Sequence, residues 1–152
     1  MRDNLGKKPS TIIRRALDDL KAVEKNPKYC VDMGAWHEPR YDDRAIGPEP
    51  VCAVCLAGAV IANRLHADPN DDLSPGMIGM ISRSQDLANK LDALDDFRMG
   101  NVHTALDTMG KLTPRALIEV PDDVTVPPYN VNRAGFKRAL RRIAAKLQSV
   151  GL

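Results

Sequence analysis

Aromatic side chains are scarce in this chain: two phenylalanines, one tryptophan and three tyrosines, 4% of 152 residues. A surface that holds single-stranded nucleic acid by base stacking needs several such platforms, so that class starts with little support. Long apolar runs are missing as well. No stretch of about 18 apolar residues occurs, which argues against a helical membrane span. The opening Met1-Arg2-Asp3-Asn4-Leu5-Gly6-Lys7-Lys8 has no apolar region of the signal-peptide kind. A cytoplasmic address is therefore expected. Cysteine is limited to three, an odd number, and in that compartment the thiols are expected to be reduced rather than paired.

What is present is ordinary for a globular protein: 28% charged and 43% hydrophobic residues. The length predicts a single domain over 1–152, able to bury roughly 68–70% of the surface its unfolded form exposes without help from disulfides or metal. Net charge is +2, but it is unevenly spread. The first 25 residues carry seven basic and four acidic side chains. Residues 131–152 carry Arg133, Lys137, Arg138, Arg141, Arg142 and Lys146 and no acid, so the middle of the chain is acidic. Such asymmetry creates a local field at the C-terminal end.

Hydrophobic spacing predicts a mainly α fold, a compact helical domain with one or two short strands at most. Ile13, Ala16, Leu17, Leu20 and Val23 or Glu24 mark a first helix, started by Ser10 or Thr11 and ended at Asn26-Pro27. Residues 28–50 read as a long structured loop pinned by Trp36, with Tyr29-Cys30-Val31 a candidate strand. The small, apolar run that follows Pro50 predicts a central helix over about 51–66, buried all round, with Gly58 permitting close approach of a neighbour. Ser74-Pro75 starts a weaker helix. Ser82-Arg83-Ser84-Gln85 has a reciprocal capping pattern ahead of the stripe Leu87, Leu91, Leu94 and Phe97. A shorter helix spans Val102 to Met109 and stops at Gly110. Over 111–130 the pattern leaves helix and strand both open. A basic amphipathic helix covers 132–149.

Two chemistries can be built from these residues. Cys30, His37, Cys52 and Cys55 contain the ligand types of a structural zinc site, three thiolates and an imidazole. Against it, the first pair is widely spaced, the second sits in an apolar run instead of a turn, and reduced cysteine packs well in cores. Cys52, just after Pro50, would also occupy the first turn of the expected helix, where the backbone dipole lowers a thiol pKa; His37 would then be its base. Neither set is complete enough to predict an enzyme. No cofactor is expected, with zinc the alternative.

The C-terminal helix offers the other chemistry. Phe136, Leu140, Ile143, Ala144 and Leu147 form an apolar face, and Lys137, Arg138, Arg141, Arg142 and Lys146 crowd the remainder. A cluster of cations on one helix can hold phosphates or carboxylates; it can also be a solvated surface with only a local role.

The segments Val31-Asp32-Met33-Gly34-Ala35-Trp36-His37, Cys52-Ala53-Val54-Cys55-Leu56-Ala57-Gly58-Ala59-Val60, Val126-Pro127-Pro128-Tyr129 and Arg141-Arg142-Ile143-Ala144 resemble small uncharacterised proteins encoded by bacteriophages and prophages. That resemblance implies an accessory protein in the bacterial cytoplasm, of a kind that often binds a host factor, a defence component or a signalling nucleotide. It brings no catalytic residues with it. The expectation is a non-enzymatic binding protein that forms a homo-oligomer and meets a host protein, a small anionic (nucleotide-like) ligand or nucleic acid through Lys137, Arg138, Arg141, Arg142 and Lys146. The rival is a metal- or thiol-dependent enzyme built on Cys30, His37, Cys52 and Cys55.

Overall fold

A computed structural model describes residues 1–41 and 50–152. In chain order it contains α1 (Pro9–Glu24), β1 (Tyr29–Val31), β2 (His37–Arg40), β3 (Val51–Val54), α2 (Leu56–Ala59) continuing as a π-helical turn (Val60–Arg64), α3 (Pro75–Ser82), α4 (Gln85–Arg98), α5 (Val102–Thr108), α6 (Pro114–Glu119) and α7 (Arg133–Ser149). The fold is mainly α, with one small sheet. Its order is β1-β3-β2, β3 running parallel to β1 and antiparallel to β2.

The sheet corrects the expected central helix over 51–66. Val51–Val54 is its middle strand, and helix begins only at Leu56. A central strand with apolar surroundings shows a short continuous apolar run, which periodicity alone does not separate from a buried helix. The β-branched Val51 and Val54 favour the strand. The expected burial holds from Cys52 through Ala62, whereas Asn63 and His66, at the end of the same span, are exposed. Within the expected loop over 28–50, the candidate strand Tyr29-Cys30-Val31 forms as β1, and β2 (His37–Arg40) is a strand the loop expectation lacked; residues 42–49 lie outside the described residues.

Several helix starts differ in detail. Lys8 takes the N-cap position of α1 without a side-chain bond. Ser10 lies inside the first turn, where its N–H and hydroxyl both donate to the Leu152 main-chain oxygen, at 3.2 and 2.7 Å. At α4 the cap is Ser84, accepting from Leu87 N at 3.1 Å; Ser82 instead donates to the Ile78 carbonyl, so the expected reciprocal cap does not form. Within 111–130 the helical alternative holds, as α6, capped by Thr113.

The buried stripes of α1, α4 and α7 meet the small residues of α2 in one apolar cluster. Asp19 lies in this packing, on α1. It accepts from Asn63 at 2.8 Å and from Arg64 at 2.9 and 3.2 Å, which joins α1 to the π-helical turn. Burial raises the Asp19 pKa more than these bonds lower it.

Gly58 is the tightest point. A Cβ there would overlap the Trp36 carbonyl oxygen, so the backbone between β1 and β2 lies directly on α2. Trp36 is thus a pin through its main chain as well as its half-buried ring. Gly58→Ala is expected to lower unfolding free energy by about 3 kcal/mol, the upper range for overpacking, since backbone must move. By contrast Gly76→Ala, on α3, where a Cβ would meet only the Ser74 Oγ at an ordinary contact distance of 3.9 Å, is expected to be neutral or to stabilise by up to about 1 kcal/mol through helix propensity. Urea titration of both variants checks the contrast.

Candidate functional site

The C-terminal helix α7 begins at Asn132, whose side-chain oxygen accepts from Gly135 N at 2.8 Å. Gly135, Phe136, Ala139, Leu140, Ile143, Ala144 and Leu147 are its buried side, much of it packed on α1. That rotation sorts the cations. Lys137 turns inward, and its Nζ meets Glu24 Oε1 of α1 at 2.5 Å. The Tyr129 hydroxyl donates to the other Glu24 oxygen, and the Arg133 guanidinium lies 5.0 Å from the Tyr129 ring centre. Burial acts to raise the Glu24 pKa, but the hydrogen bonds from Lys137 and Tyr129 outweigh it and hold the carboxyl below its ordinary 4.5. Lys137 therefore serves the fold.

Arg138, Arg141, Arg142 and Lys146 remain exposed, with no ion-pair partner among the described residues. Arg138, Arg142 and Lys146 follow one another at four-residue spacing and so form a stripe along one helix face. Like charges at that spacing repel by about 0.2–0.5 kcal/mol per pair. No acid on α7 offsets this. The arrangement costs stability and leaves a row of positive charge open to an anion.

Beside the stripe lies a half-open groove of about 200 Å³. Val102, Val120, Pro121, Val124 and Ile143 form its floor and walls, and Arg142 and Lys146 line its α7 side. The opposite wall is pinned to the α4–α5 junction. Val124 N donates to the Gly100 carbonyl at 3.0 Å, and Val102 N donates to the Asp122 carbonyl at 2.8 Å. Gly100 has φ +84°, and a Cβ there would overlap the Val124 carbonyl oxygen. His103 Nε2 donates to the Val120 carbonyl at 2.8 Å, and its Nδ1 lies 3.4 Å from Asp122. Val102, Val120, Pro121 and Val124 escaped the sequence reading. Val120-Pro121 lay in the stretch left open between helix and strand, and no local pattern indicates that it returns to α5.

The cysteine and histidine candidates do not converge. Tyr29 stands opposite Cys52 and His37 opposite Val54, whereas Cys30 stands opposite Ala53. Side chains alternate along strands, so Cys30 projects from the face opposite to Cys52 and His37. Cys55 lies beyond the strand as the N-cap of α2, its sulfur accepting from Gly58 N at 3.4 Å. Among the described residues no three His, Cys, Asp or Glu side chains cluster as metal ligands do.

The expected activation of Cys52 at a helix start is also corrected, because Cys52 lies in β3. Burial dominates its pKa and pushes it up to about 12; Cys55, which does cap a helix, is pushed up to about 11 for the same reason. His37 is fully buried, and its Nδ1–H donates to the Asp71 carbonyl at 2.7 Å. Its Nε2 is buried without a hydrogen-bond partner among the described residues. Burial lowers its pKa, which favours a neutral ring. A sealed imidazole and two thiols held in the protonated form at neutral pH offer neither nucleophile nor accessible base.

A thiol-reactive disulfide reagent at pH 7.5 is expected to modify at most Cys30, the exposed thiol, in the native protein, and all three cysteines after denaturation. Prompt native labelling of Cys52 or Cys55 contradicts this assignment. No protein-family model, curated protein or solved structure matches the chain.

Proposed function

We propose that this is a non-enzymatic binding protein that engages an anionic partner through the exposed cations of α7. The single observation that carries the reading is the stripe Arg138, Arg142 and Lys146. These like charges stand one turn apart, without an ion-pair partner among the described residues, beside a groove with an apolar floor. A fold that only needed a soluble surface would gain by interspersing acids there. Arg141 widens the field on the adjacent face. The burial of Cys52, Cys55 and His37 supports this reading over the thiol-enzyme alternative, because it disfavours the thiolate at both cysteines and closes the imidazole to solvent.

The biological setting we propose is that of a phage-type accessory protein working in the bacterial cytoplasm on a host component. Among the described residues no helix is long and apolar enough to cross a membrane. The cationic surface would speed encounter with an acidic partner and make binding sensitive to salt.

The test is charge reversal. Labelled polyglutamate and labelled polyphosphate are titrated at low ionic strength against the native protein and the triple variant Arg138→Glu, Arg142→Glu, Lys146→Glu. At least one probe is expected to lose about tenfold or more in affinity, equivalent to about 1.4 kcal/mol, with an unchanged thermal transition. Equal binding of both probes by native and variant proteins would sink the proposal.

A further inference from the structure

We propose that the groove beside α7 is a socket for one apolar side chain of an acidic polypeptide segment, so that the anionic partner is a protein rather than a phosphate chain. This rests on the anion-binding reading of α7 and specifies its partner.

Size is the first argument. At about 200 Å³ the groove is smaller than the roughly 300–1,000 Å³ typical of small-molecule pockets. It suits a single aliphatic or aromatic side chain. Chemistry is the second. The floor is built from Val102, Val120, Pro121, Val124 and Ile143 and offers little to a sugar-phosphate backbone. Arg142 and Lys146 on its rim are complementary to carboxylates flanking an apolar residue. Direction is the third. The α7 rim is cationic, whereas Asp122 and Asp123, both exposed, belong to the opposite wall. An acidic segment is therefore drawn to the α7 side and kept from lying across the groove. An anchor residue in a small apolar pocket with a charged rim is how many interfaces concentrate their binding energy.

The experiment compares two labelled peptides of aspartate and glutamate, identical except for a central leucine or a central serine, by fluorescence anisotropy at low ionic strength. The leucine peptide is expected to bind about tenfold tighter, the scale set by burying one such side chain. Val124→Lys should abolish that preference while retaining or increasing the affinity for polyglutamate, since it adds a cation and blocks the socket. Pro121→Lys, at an exposed position, provides the same readout if Val124→Lys does not fold. Equal binding of the two peptides to the native protein overturns the socket. So does a leucine preference that persists in both lysine variants. If both peptides bind equally but lose affinity on reversal of Arg138, Arg142 and Lys146, the cationic-surface reading survives alone. Binding of polyphosphate with no binding of either peptide overturns the protein partner, and binding of no probe removes both proposals.

Discussion

The packing of α1 against α7 is the constraint on which the other features depend. Glu24, near the end of α1, is gripped by Lys137 and by the Tyr129 hydroxyl, and this fixes how α7 is rotated about its own axis. Once Lys137 points inward, the helical repeat leaves Arg138, Arg142 and Lys146 pointing out. The same α1 reaches the π-helical turn through Asp19 and carries much of the apolar cluster. One helix thus anchors the core on two sides and presents its neighbour's cations to solvent. The pH consequence has a definite sign. Glu24 has a depressed pKa in the fold, so its contribution is present above its ordinary value and is lost as pH falls through the folded one.

Much of the helical framework was legible in the sequence because long amphipathic segments repeat their signal. The leucines of α4 and the Phe136, Leu140, Ile143 and Leu147 side of α7 recur over three or more turns, and both are buried as the spacing requires. Val51–Val54 had no such redundancy. Periodicity over four apolar residues does not separate a strand from a helix, and Pro50 outweighed the weak strand preference of Val51 and Val54. Its strand character comes from pairing with β1 and β2, a tertiary fact that local pattern does not carry.

The candidate site divides along the same line. Its cations were readable because they lie on one helix with no acid among them, although the inward turn of Lys137 depends on Glu24, more than a hundred residues away. The groove was unreadable because its walls come from α5, the 120–124 segment and α7, brought together by backbone bonds at Gly100 and Val102. The cysteines carried a misleading signal. Their spacing resembles a ligand pair, yet strand alternation sends Cys30 away from Cys52, and burial outweighs the backbone N–H groups that face the Cys55 sulfur. A thiol buried in apolar surroundings loses the solvation of its ionised form, and its pKa rises even at a helix start.

The most direct measurement is residue-resolved: backbone amide shifts recorded by NMR while an acidic peptide bearing a single leucine is titrated into the full chain. The largest changes are expected at Val102, Val120, Asp122 to Val124 and the outward face of α7 from Arg138 to Lys146. Changes concentrated instead around Asn26, Lys28, Asn63 and His66, which line a separate hollow of about 350 Å³ between α1 and the π-helical turn, would contradict the socket beside α7.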